Sequence, residues 1–150
     1  MQISNRKHTL SASTTKTLAC AMIAKESWKS REVKNEAFSR VQIDAQLTDV
    51  DWSLTDGVSV RYEYPLPDGT RADYVLCDRH GRIMAVVEAK RASRNIQEAA
   101  AQGRAYAEQL HDVPYIFLAN GQEILFWDYL AEAYPRQVST FFKQEDLERR

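Results

Sequence analysis

The sequence predicts an α/β protein, a mixed β-sheet flanked by helices. Three observations lead there. Apolar residues recur at helical spacing up to about residue 48, and the period changes to two at residue 58. An alanine-rich helical stretch at 93–110 then separates three strand-like segments from two more. Turn signals, TDG at 55–57, PDG at 67–69, RHG at 79–81 and NG at 120–121, fall between the segments.

Leu18, Met22 and Ile23, behind Ser and Thr residues, predict a helix within 13–30. Val33, Ala37, Val41 and Leu47 predict a second one over 31–48. VSVRYEYPL (58–66), ADYVLCD (72–78) and RIMAVVEAK (82–90) read as three strands. Residues 93–110 form the next helix, with Ser93 or Asn95 as N-cap. VPYIFLA (113–119) is a buried strand, and QEILFWD (122–128) returns from the NG turn. The closing KQEDLERR is charged and helical, a poor natural end, so the chain reads as the front of a longer polypeptide.

The 150 residues are enough for one domain with a real core. No apolar run is long enough to span a membrane and no apolar signal core opens the chain, so a cytoplasmic protein is expected. Cys20 and Cys77 form no CxxC pair and read as reduced thiols, not as a disulfide or zinc framework. The net charge of −1 does not suggest a salt-driven DNA binder. Residues 1–35 nevertheless carry seven Lys and Arg against two Glu, net +5, leaving −6 for the rest. That stretch is either an arm for phosphate or an acidic partner, or a solvated helix face.

The chemistry gathers on the 72–90 hairpin. With His80–Gly81 as a two-residue loop, Asp73 lies opposite Glu88; with a four-residue loop, Asp78–Gly81, it lies opposite Val86. Side chains alternate along a strand, so both registers put Asp73, Glu88 and Lys90 on one face. Two close carboxylates repel unless one is protonated or a cation lies between them. Oxygen donors at a strand edge suit Mg²⁺, and a nearby lysine suits a phosphate's developing charge. Gln102 and Tyr106, at i and i+4 on the following helix, share a face that overhangs the strand. Read against this is a plain ion-pair cluster beneath a polar helix face.

RADYVL (71–76), VVEAKR (86–91), QGRAY (102–106) and LANG (118–121) occur in an order and spacing that resemble a known family. It is the N-terminal nuclease domain of the motor (R, or HsdR) subunit of type I restriction enzymes, within the PD-(D/E)xK superfamily. VQIDAQL (41–47) followed by Trp52 is similar to that family's upstream helix and loop. The resemblance implies a restriction-endonuclease-like sheet with its core over 33–128, a basic arm at 1–32, and a segment 129–150 leading to a helicase motor. It likewise makes Asp73 and Glu88 Mg²⁺ ligands, adds the Ala89 carbonyl to them, and makes Asp73, Glu88 and Lys90 the catalytic set. Gln102 and Tyr106 would position DNA or the charged groups, and Glu36 would complete the site. One departure is Ala72, where the family's proline stands. Double-stranded DNA and the modification and specificity subunits would be partners. ATP would belong to the motor, since no GxxxxGK[ST] loop occurs here.

Two other functions fit the same residues: a non-catalytic docking or DNA-positioning module, and a RecB-like repair nuclease. Glu63 is either an acid standing behind the site or a solvent-facing residue. His8, His80 and His111 have no spacing that suggests a triad. Trp52, Tyr62, Tyr64 and the aromatics of 115–129 read as packing, with a base-stacking platform as the lesser alternative.

Overall fold

The structure, a computed structural model, describes residues 37–90 and 96–150. The helix expected at 13–30, Glu36, Cys20, His8, the basic arm and the Ser93 or Asn95 cap lie outside those residues. A helix spans 37–49 (α1). After it come β1 (Val60–Pro65), β2 (Arg71–Cys77), β3 (Ile83–Ala89), α2 (Ile96–Gln109), β4 (Tyr115–Ala119), β5 (Ile124–Asp128), β6 (Arg136–Val138) and α3 (Gln144–Glu148). The six strands form one sheet in sequence order. Every neighbouring pair is antiparallel except β3–β4, which is parallel because α2 crosses between them. The expected mixed α/β sheet flanked by helices is what forms.

Strand alternation divides the core in two. Tyr74, Leu76, Ala85, Val87, Phe117 and Phe126 pack toward Ile43 and Leu47 of α1 and Leu147 of α3. Val75, Val86, Ile116 and Leu118 pack toward Ala99, Tyr106 and Ala107 of α2. β3 and β4 are covered on both faces, which explains their unbroken apolar runs. Trp52, 3% exposed, closes one edge and donates its indole N–H to the Phe142 carbonyl at 2.8 Å. No helix among the described residues is long and apolar enough to cross a membrane.

Two local expectations need correction. The β2–β3 hairpin has neither a two- nor a four-residue loop. Cys77 pairs with Ile83, so residues 78–82 form the loop, and a register shift lies between Leu76 and Cys77. Asp78, 3% exposed, holds that loop by accepting from the His80 and Arg82 N–H groups at 2.8 and 2.9 Å. The β4–β5 loop spans residues 120–123, and Asn120 Oδ1 accepts from the Gln122 and Glu123 N–H groups. Residues 129–150 end in α3, as expected of the closing KQEDLERR, and they also add β6 and bury Phe141 and Leu147 at 2% exposure each.

Candidate active site

The register shift matters for the site. Beyond it, Tyr74 pairs with Val87 and Val75 with Val86. That is the register expected for the shorter loop, and it brings Asp73 level with Glu88. The Ala89 N–H confirms the alignment by donating to Asp73 Oδ2 at 2.8 Å.

Glu88 is 2% exposed, near the end of a strand walled by Val86 and Val87. Its Oε1 accepts from Lys90 Nζ at 2.6 Å. Its Oε2 is buried with no hydrogen-bond partner. Burial pushes the Glu88 carboxyl up to about 7, reinforced by the negative charge of Asp73 and opposed by Lys90. Asp73 is also raised, chiefly by burial, against the Ala89 N–H and the Arg40 charge. Two acids driven toward protonation in one place mark a spot where a cation would be held strongly.

Lys90 is fixed from three directions. Its backbone N–H joins the Ala119 carbonyl at 2.7 Å, which continues the β3–β4 ladder. Its Nζ bridges Glu88 and Gln102 Oε1, the latter at 2.7 Å. Gln102 Nε2 in turn donates to the Tyr106 hydroxyl at 2.6 Å. The result is one hydrogen-bonded line from β3 to α2, Glu88–Lys90–Gln102–Tyr106. α2 comes this close because of Gly103: a Cβ there would lie 2.7 Å from Ile116 Cγ2. The expected overhang is therefore real: Gln102 reaches the lysine, and Tyr106 reaches Gln102.

Arg40, on α1, is the site residue that sequence reasoning missed. Its Nη2 donates to Asp73 Oδ1 at 2.5 Å, and its Nη1 pairs with Glu63. A signal was present, because Arg40 lies four residues after Glu36 within the 31–48 stretch whose sequence predicts a helix. Of its two expected readings, Glu63 takes the first: it stands behind the site, one residue removed from Asp73. Its side chain is 46% exposed yet ion-paired to Arg40. Its φ of 46 puts a non-glycine residue in the left-handed region, at a cost of about 1–2 kcal/mol.

The donor set fits a hard divalent cation. Mg²⁺ is commonly held by one or two carboxylates and keeps waters, and Asp73, Glu88 and the Ala89 carbonyl offer that set. The unpartnered Glu88 Oε2 is the atom that such an ion would satisfy. Among the described residues no three His, Cys, Asp or Glu side chains converge as a metal cluster. A cation here would therefore rely on backbone oxygen and water for its remaining positions.

Comparison with known proteins was made at three levels. No curated protein sequence matches the chain. Among solved structures, the type IIG restriction endonuclease BpuSI matches at 16% identity with a TM-score of 0.46, over 67% of this chain and 12% of its own. The DrdV–DNA complex matches at 16% identity with a TM-score of 0.39, over 69% of this chain and 10% of its own. The chain thus spans about a tenth of the length of either. A family model, type I restriction enzyme R protein N terminus, matches residues 57–139. That stretch exceeds half the chain and runs from β1 through β6, with Asp73, Glu88, Lys90, Gln102 and Tyr106 inside it. The chain belongs to the family of type I restriction enzyme R protein N-terminal domains.

Proposed function

We propose that the chain is a Mg²⁺-dependent endonuclease domain that hydrolyses phosphodiester bonds of double-stranded DNA. It would be the cleavage part of a type I restriction enzyme, working with modification and specificity subunits and an ATP-driven motor. The observation that carries this reading is the state of Glu88. A carboxylate almost wholly buried, with one oxygen on Lys90 and the other on nothing, is costly as a structural device and useful as a ligand. When bound, Mg²⁺ would polarise the phosphate and favour ionisation of attacking water.

The chain's own residues have separable tasks in this reading. Asp73 and Glu88, with the Ala89 carbonyl, hold the ion. Asp73 is kept in place by the Ala89 N–H and by Arg40. Lys90 Nζ, with 22% of its side chain exposed, offers a fixed positive charge to a phosphate oxygen. Gln102 and Tyr106 keep the flexible lysine in one rotamer, which removes a positioning cost from the reaction.

One observation favours a second reading. Each acid already has a cationic partner, Arg40 for Asp73 and Lys90 for Glu88, as in a self-neutralised cluster of a docking module. Lys90→Ala in the assembled enzyme separates the two, with plasmid cleavage measured under Mg²⁺ and ATP. Cleavage is expected to fall by at least 10²-fold while ATP hydrolysis and DNA binding persist, the order expected for a lost electrostatic stabiliser. Undiminished cleavage sinks the nuclease reading. A RecB-like repair role instead requires activity on DNA ends without any specificity subunit.

A further inference from the structure

Glu63 has no task in the reaction as drawn above, and Arg40 only that of holding Asp73, yet both are built into the site. Arg40 spans two acids with separate nitrogens, Nη2 to Asp73 and Nη1 to Glu63. Glu63 meets it from a strained left-handed backbone in the middle of β1, so its carboxylate is directed there at a cost. Arg40 thus ties Glu63 to Asp73, as Lys90 is tied to Glu88.

A divalent ion arriving at Asp73 meets a guanidinium already bonded to it. Like charges at such range repel strongly in a half-buried site. The two cations of the site are not equally able to give way. Lys90 is tied to Gln102 as well as to Glu88. Arg40 has one arm on Asp73 and the other on an acid outside the proposed ligand set.

We propose that Arg40 is the resident counter-cation of Asp73 when the site holds no metal, and that divalent-ion binding frees its Nη2 arm while Nη1 stays on Glu63. Glu63 is then the residue that keeps the guanidinium at the edge of the site, where a DNA phosphate can take up the freed arm. Arg40 and Glu63 are positioning residues in this scheme. The inference rests on the reading of Asp73 and Glu88 as metal ligands.

Calorimetric titration of Mg²⁺ into the full chain tests it, using Arg40→Gln, Glu63→Gln, the double variant and Glu88→Gln. Arg40→Gln is expected to bind Mg²⁺ on the order of tenfold tighter, because a repelling unit charge is gone. Glu63→Gln is expected to bind several-fold more weakly, because Nη1 of Arg40 loses the acid that it holds outside the ligand set. That loss should vanish in the double variant, which is the signature of coupling through Arg40. Weaker binding in Arg40→Gln, as for a residue that only shapes Asp73, overturns the proposal. An equal Glu63→Gln effect in both backgrounds overturns it too, and Glu63 is exposed enough for this variant to fold regardless. Loss of Mg²⁺ binding in Glu88→Gln shows that the metal reading stands even where the Arg40 proposal has fallen. Mg²⁺ binding unchanged by Glu88→Gln removes both.

Discussion

The two faces of the sheet are packed by opposite means. On the α1 and α3 face the filling is aromatic: Phe117 lies 5.1 Å from both Phe126 and Phe141, ring to ring, and Phe142 closes on Phe126 at 4.7 Å. On the α2 face the helix presents Ala99, Gly103 and Ala107, and the sheet answers with Val75, Val86, Ile116 and Leu118. Large rings occupy volume and hold a layer apart. Small residues let a helix approach, and here the approach brings Gln102 within reach of Lys90. Aromatic packing is thus concentrated on one face and the placement of the lysine on the other, although Arg40 reaches Asp73 from α1 and β3 and β4 serve both.

That division can be broken at three points. The largest effect is expected from Phe117→Ala, which empties the middle of the aromatic cluster at a cost of about 3–5 kcal/mol. Urea unfolding should show a lower midpoint with an unchanged slope. The fraction still folded should keep its Mg²⁺ affinity as long as α1 still carries Arg40 to Asp73, because Phe117 faces away from α2. Altered affinity there would mean that the two faces are not independent.

Glu88→Gln follows. The Glu88 carboxyl is raised from the usual 4.5 to about 7 by burial. A raised acid lends its stability below pH 4.5 and loses it as pH climbs through about 7. The wild type then carries a buried charge worth roughly 3 kcal/mol, which the neutral variant avoids. In thermal melts without divalent ions, Glu88→Gln should gain on the wild type between pH 4.5 and 7, and Mg²⁺ should narrow the gap by stabilising the wild type alone. A gap independent of pH would refute the buried-charge account.

Gly103→Ala is the mildest and the most selective. The new methyl meets Ile116 Cγ2 at 2.7 Å and Leu118 Cδ2 at 3.3 Å. Overpacking of about 1–3 kcal/mol outweighs the ~1 kcal/mol that alanine gains in helix propensity. Because the helix must lift, DNA cleavage should fall further than stability does. A variant that loses stability and keeps full cleavage would show that the α2 approach does not set the lysine.

Much of this was legible in the chain. β2, β3 and β4 were evident because each is a bounded apolar or alternating run, and the alanine-rich stretch of α2 stands between β3 and β4. Asp73, Glu88, Lys90, Gln102 and Tyr106 were nominated from spacing and resemblance, and the structure gathers all five at one end of the sheet. β6 was not legible, since Arg136–Val138 has no pattern of its own and exists as a strand only because β5 pairs with it. Phe141 and Leu147 looked like parts of a polar tail, because two buried residues in a charged stretch have no periodicity to report.

What the sequence determined by itself was the local order: which segments are strands or helices, and that Asp73 and Glu88 share a hairpin face. Alternation is a property of the backbone and needs no partner. The tertiary structure decided the charge environment. Whether Asp73 meets Arg40, whether Lys90 reaches Gln102 and whether one oxygen of Glu88 is left unpartnered depend on how closely α1 and α2 approach the sheet. That closeness is set by packing across 12 to 33 residues of chain, a range over which neither propensity nor periodicity carries information.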